Sequence, residues 1–181
     1  MNMPIDKAAD PEPRPSRDIV ISDGVFRDGL IEGVVVAPLG QHSDGRGWLV
    51  ELFRGDELPQ ENLPQMAYVS VTLPGEARGP HEHIEQSDLF AFLGPGDLRL
   101  SLWDPRSNSP TYGHRQTLTV GESSRVSVII PPGVIHGYKN IGKQMATVLN
   151  FPNRLYAGEG KCDPVDEIRH ENDPSSPFCL D

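Results

Sequence analysis

Three histidines and an acidic side chain stand at spacings that could do chemistry. His81 and His83 sit in Arg78-Gly79-Pro80-His81-Glu82-His83, and His136 sits in Pro131-Pro132-Gly133-Val134-Ile135-His136-Gly137-Tyr138-Lys139-Asn140. In an extended strand residues i and i+2 share a face, so His81 and His83 would point the same way. Glu85 keeps that parity, whereas Asp88 joins it only if a turn or bulge intervenes. Two imidazoles, a carboxylate and a distant third imidazole can enclose a divalent metal such as Zn, Fe, Mn or Ni. That makes His81, His83, Asp88 and His136 the candidate ligands, with Glu85 as the alternative carboxylate. The same imidazoles could instead line a polar pocket, or move protons near neutral pH.

Such side chains need a rigid frame, and the composition says which kind. Gly and Pro number 18 each in 181 residues, about a fifth of the chain against roughly 12% in average usage. Pro lacks a donor and Gly costs backbone entropy, so this density argues against a helical bundle. Short strand-like segments fit better: 34–36, 48–53, 67–73, 89–93, 98–103, 116–120, 125–130 and 145–151. Leu98, Leu100 and Leu102 alternate with Arg99, Ser101 and Trp103, a period of two. Turn residues separate the segments, among them Pro74-Gly75, Gly94-Pro95-Gly96 and Pro131-Pro132-Gly133. An all-β sandwich or barrel is expected, with one short helix near 55–61. Residues 1–17 carry four Pro and almost no large apolar side chain, so they read as a disordered tail before a single domain at 18–181.

The formal charge is −10, so a broad nucleic-acid-binding face is not expected; an anionic small ligand would need locally clustered cations. No apolar run is long enough to span a bilayer, and no export signal is apparent, which makes the cytoplasm the expected compartment. Cys162 and Cys179 form no close pair and read as free thiols. Trp48 and Trp103 read as strand packing, Arg106 and Arg154 as ion-pair residues, His42, His114 and His170 as surface. The acidic stretch 163–173 reads as a solvated face.

The histidine segments resemble the two motifs of the cupin superfamily. Gly75, five residues, His81-Glu82-His83 and then Asp88 follow the first motif, with Asp in place of Glu; Pro131 to Asn140 reproduces the second, Pro-x-Gly-x-x-His-x-x-x-Asn. The resemblance implies a cupin jelly roll, a double-stranded β-helix, with the histidines at the barrel mouth. A closer resemblance, over most of residues 30–170, is to the dTDP-4-dehydrorhamnose 3,5-epimerase family. It rests on Asp44-Gly45-Arg46-Gly47, Gln65, Arg78-Gly79-Pro80-His81, Trp103-Asp104-Pro105-Arg106, Ser109 to Gly113 and Ile130 to Tyr138. It implies an isomerase that removes and returns a proton beside the C4 ketone of a dTDP-4-keto-6-deoxy sugar, in deoxysugar or polysaccharide biosynthesis, with no required cofactor. It also implies a homodimer that shares residues across its interface.

By the same resemblance His81 would be the base, and His136 would lie near the keto oxygen. Arg46 and Arg78 would hold the diphosphate, Gln65 and Tyr156 would line the substrate site, and Tyr138 would stand in the pocket or the core. The departures all fall at the site. His83 replaces a family Gln, Asp88 stands where a Lys is usual, and Asn150 aligns with the family's proton-donating Tyr. For the Asp that backs the base, only Asp181 is available. A divalent metal on His81, His83, Asp88 and His136 could replace the Lys as electrophile. Two other readings follow: a metal-dependent cupin enzyme, as a sugar isomerase or dioxygenase, and a non-catalytic cupin that binds nucleotide sugars.

Overall fold

The computed structural model describes residues 26–180. The expected tail at 1–17 and Asp181 lie outside the described residues. Thirteen strands run along the described chain: β1 Arg27–Asp28, β2 Val35–Pro38, β3 Gln41–Asp44, β4 Gly47–Val50, β5 Tyr68–Thr72, β6 Ala77–Glu82, β7 Asp88–Phe92, β8 Asp97–Trp103, β9 His114–Gly121, β10 Val126–Ile130, β11 Ile135–Asn140, β12 Ala146–Asn150 and β13 Ile168–Arg169. The helix expected near 55–61 is only a 3-10 turn at Gln60–Asn62. Pro59 and Pro64 bracket that turn, and Pro cannot take part in a helix interior. No helix among the described residues is long and apolar enough to cross a membrane. Cys162 and Cys179 are free and exposed.

The strands form a six-stranded sheet in the order β1-β9-β8-β11-β6-β13 and a five-stranded sheet in the order β2-β10-β7-β12-β5. This is the expected jelly roll. The strands alternate in side-chain direction, and the inward rows of both sheets meet in one core. Phe90, Phe92, Leu98, Leu100, Leu102, Val128, Ile130 and Val148 are all buried there. Trp103 packs on the opposite face of the larger sheet with Ile135 and Phe178, so the C-terminal segment covers that face. The outward row of the smaller sheet is open: Val35, Val69 and Val71 are exposed. Strands β3 and β4 pair only with each other, and every residue from Gln41 to Leu49 is exposed.

Asp104 anchors the loop after β8. Its carboxylate accepts from Arg106 Nε at 2.8 Å, Ser109 Oγ at 2.6 Å and Thr111 Oγ1 at 2.6 Å. Burial opposes its ionisation, but these donors outweigh burial and hold its pKa down at about 2. A depressed carboxyl stabilises the fold fully above its unfolded value near 4 and loses that contribution as pH falls through about 2. Asp104→Asn is expected to cost about 2–3 kcal/mol at neutral pH, a fall in Tm of roughly 5–10 °C by calorimetry. It should also flatten stability between pH 4 and 2. An unchanged Tm would show that the ion pair adds nothing.

Candidate functional site

The site is assembled from both sheets at one end of the jelly roll. His81 lies near the end of β6, and the strand stops at Glu82. His83 therefore follows the strand instead of continuing its pairing. The chain then turns, and Asp88 opens β7 in the opposite sheet. This is the turn that Asp88 required. His136 comes from β11, paired directly with His81. Gly79 lets the two strands approach here: its φ is +78°, and a Cβ would stand 2.7 Å from the His136 carbonyl oxygen. The backbone N–H of Gly133 donates to the His83 carbonyl at 2.7 Å, tying the two histidine motifs together.

Ligand-type atoms of His81, His83, Asp88 and His136 all lie within 4.8 Å of one another. The hydrogen bonds dictate how they face. His136 Nδ1 lies 3.0 Å from the Val134 carbonyl, and His83 Nδ1 bonds the Asp166 carbonyl. A carbonyl only accepts, so each Nδ1 carries a proton. The two Nε2 atoms then face Asp88 Oδ2, at 3.2 Å from His83 and 3.3 Å from His136. Asp88 Oδ1 is occupied by the amides of Gln86 at 3.0 Å and Asn150 at 2.9 Å. His136 Nε2 is buried without a hydrogen-bond partner.

The charges follow from this packing. Burial pushes the Asp88 carboxyl up, but His83 and His136 outweigh it and hold the group well below the usual carboxylate range. Burial works against a charged His83, yet Asp88 and the Asp166 carbonyl raise it to about 9. Burial and the neighbouring His136 and His83 push His81 well below its ordinary value. His81 is therefore neutral at pH 7 and holds a free lone pair. Its Nδ1 lies 3.9 Å from Glu167 Oε1. Arg169 holds the other oxygen of Glu167 through Nε and Nη2, each at 2.9 Å.

A cavity of about 1400 Å³, large enough for a nucleotide sugar, opens against His81 and His83; Asp88 and His136 are buried behind them and do not line it, so His136, expected near the keto oxygen, does not reach the cavity wall. His81, His83, Gln65, Arg78, Tyr138 and Tyr156 line it, as expected residues. Arg78 is held over the edge strand by the Val71 carbonyl at 3.0 Å. Tyr138 donates to Ser70 Oγ at 3.1 Å while packing on Phe90 and Phe92, so it belongs to both pocket and core.

Other expectations are corrected. Arg46 lies on the β3–β4 hairpin, paired with Asp44 and 91% exposed, and does not line this cavity. Glu85 cannot be the carboxylate of the cluster, because it faces solvent and pairs with Arg154 at 3.0 Å. Asn150 is fully buried and does not line the cavity; it holds Asp88 and Tyr68. His170 is not a surface residue: it is buried and bonds Glu82 at 3.0 Å. The stretch 163–173 is not a solvated face but a wall of the cavity. Asp166 caps the turn after His83 by accepting from the N–H groups of Ile84, Glu85 and Gln86 at 3.0, 2.9 and 2.8 Å.

Sequence reasoning missed Gln86, Asp166, Glu167 and Tyr68. Only tertiary pairing brings the last three to the site, by way of Arg169 opposite His81 and Tyr68 opposite Asn150.

Comparison with known proteins gives consistent matches. The profile of the family described as dTDP-4-dehydrorhamnose 3,5-epimerase matches residues 29–163. A probable low-salt glycan biosynthesis epimerase of Haloferax volcanii is 38% identical over 138 residues, 76% of this chain and 86% of that protein. A spore coat polysaccharide biosynthesis protein of Bacillus subtilis is 36% identical over 127 residues, 70% of this chain and 83% of that protein. Among solved structures, a dTDP sugar isomerase from Desulfovibrio desulfuricans G20 superposes with a TM-score of 0.69 at 27% identity, over 82% of this chain and 91% of that one.

Proposed function

The chain belongs to the dTDP-4-dehydrorhamnose 3,5-epimerase family, and from that premise we propose that it is an isomerase inverting a carbon beside the C4 ketone of a dTDP-4-keto-6-deoxy sugar. One relative is named an epimerase of low-salt glycan biosynthesis and another a spore coat polysaccharide biosynthesis protein, which supports a role in polysaccharide biosynthesis. The observation that carries the reading is His81: a largely buried, neutral imidazole on the cavity wall, with a carboxylate behind it.

A proton α to a ketone is acidic only while the enolate is stabilised, so a base and a polariser of the keto oxygen must face the same carbon. His81 accepts the proton, and Glu167 stabilises the imidazolium that forms. Glu167 thus fills the place for which Asp181 was the only candidate by sequence. Arg78, Gln65 and Tyr156 grip the nucleotide part, and Arg78 supplies the local positive charge that an acidic chain needs to hold a diphosphate. Incubation with dTDP-4-keto-6-deoxyglucose in heavy water is the test. Deuterium at C3, C5 or both supports epimerisation and tells which carbon inverts. Binding with no exchange would leave only a nucleotide-sugar binding protein.

The family reaction requires no cofactor, yet the donor set here fits a divalent cation. Both Nδ1–H groups are locked on backbone carbonyls, and His136 Nε2 is left without a partner facing an anionic oxygen. His83, Asp88 and His136 would hold the ion, with His81 as the fourth ligand. Bound there, it would polarise a keto oxygen. His81 cannot give its lone pair to an ion and to a proton at once. With three ligands it stays the base; with four, Glu167 is the nearest remaining carboxylate. Enzyme that stays fully active with no metal present would exclude the ion.

The open row of the smaller sheet and the unsupported β3–β4 hairpin, with Trp48 56% and Leu49 64% exposed, favour a second copy of the chain as partner. Two-stranded hairpins are marginal alone. In such a dimer Arg46 would reach a diphosphate only across the interface. Light scattering is expected to give twice the chain mass; a monomer would remove this assignment of Arg46.

A further inference from the structure

We propose that Tyr68 returns the proton to the sugar carbon, on the face opposite His81. This deepens the epimerase reading and rests on it. Inversion needs two groups, one on each side of the reacting carbon. His81 comes from β6 in the six-stranded sheet and Tyr68 from β5 in the five-stranded sheet, and both line the same cavity.

The hydrogen bonds around Tyr68 leave its own proton free for this work. Asn150 stands directly opposite it in the β5–β12 pairing. The amide Nδ2 of Asn150 donates both to Asp88 Oδ1 and to the Tyr68 hydroxyl oxygen, each at 2.9 Å. Turning that amide over would set its oxygen against the Asp88 carboxylate, two acceptors together, so the orientation is fixed. The Tyr68 oxygen therefore accepts from Asn150, and its O–H is available to the cavity. Tyr138 differs, because its O–H is spent on Ser70. Burial and the nearby Asp88 also raise the Tyr68 hydroxyl above its ordinary value, keeping the proton in place at neutral pH.

The step balances. The C–H bond breaks, its proton goes to His81, and its electron pair passes into the enolate. The pair then returns to form a new C–H bond with the Tyr68 proton on the other face. This leaves a Tyr68 phenolate and a His81 imidazolium, which water in the cavity resets.

The experiment uses the full chain with dTDP-4-keto-6-deoxyglucose in heavy water. In Tyr68→Phe, inversion is expected to fall about 100-fold or more. Exchange of the same hydrogen, which needs only His81, is expected to persist with retention of configuration. A merely structural role would lower exchange and inversion together. The double variant Tyr68→Asn with Asn150→Tyr moves the hydroxyl across the strand pair, and recovery of inversion in it supports the assignment even if Tyr68→Phe folds poorly. A folded Tyr68→Phe that inverts within about threefold of the parent overturns the assignment alone. No exchange by the parent overturns the epimerase reading and this assignment with it.

Discussion

Replacing His81 with asparagine is expected to lower epimerisation by about 10²- to 10⁴-fold, the range a positioned acid–base group supplies, and to abolish exchange of the substrate's α-hydrogen with solvent. Asparagine matches the polar outline of a portion of the ring but offers no lone pair basic enough to take a carbon-bound proton. His81 is poised by what surrounds it. Burial, together with His136 and His83, keeps it unprotonated, so no proton must be shed before catalysis. Glu167 at 3.9 Å can draw closer once the ring becomes charged, and Arg169 keeps that carboxylate in place. The loss should appear in kcat with little change in substrate affinity, because Arg78 and Gln65 are untouched. Isothermal titration with dTDP separates the two quantities. A variant that still exchanges deuterium at a rate within tenfold of the parent would remove His81 from the role of base.

The second large effect is expected at Asp88, where a pair of substitutions separates the proposed metal binding from the structural role. In Asp88→Asn the side-chain oxygen can still accept from Gln86 and Asn150. The new amide can donate toward the Nε2 atoms of His136 and of a His83 that has become neutral. Stability should fall less than in Asp88→Ala, because the hydrogen bonds are kept and only the charge attraction to His83 is lost. What is lost is the anionic ligand, so the affinity for a divalent cation should drop by more than about 100-fold, beyond the effect of a supporting residue. Asp88→Ala instead strands both amide donors and leaves an uncompensated His83. Breaking a buried charge pair in this way costs about 3–5 kcal/mol, or roughly 6–20 °C in Tm for a domain of this size. Metal content by plasma emission spectroscopy and Tm by calorimetry read the two effects. If Asp88→Asn and the parent hold equal metal, the ion is not bound at this cluster.

Much of the frame was legible from local chemistry. Alternation at Leu98, Leu100 and Leu102 and the Gly-Pro turns marked strands, because period two and turn chemistry are local properties. The paired motifs around His81 and His136 marked the barrel end. The helix near 55–61 did not form, since nothing in its pattern could outweigh Pro59 within it. Asn150 was assigned by alignment to the proton donor, but a strand position fixes only which face a residue shares, not which neighbour stands in front of it. Its neighbour is Tyr68, 82 residues away in sequence.

The sequence by itself determined the fold class and, through its resemblance, the family, because strand periodicity, turn chemistry and each histidine motif are local; it offered the histidine cluster as a candidate, which the pairing of β6 with β11 then joined. The tertiary structure alone decided how those groups are used. It took Glu85 away from the histidine cluster and Arg46 away from the cavity, and it brought Glu167 to His81, Asp166 to His83 and Tyr68 to Asn150. The reason is that strand pairing between distant segments sets which side chains meet. A region such as 163–173, acidic and irregular when read alone, becomes a wall of the cavity once β13 pairs with β6.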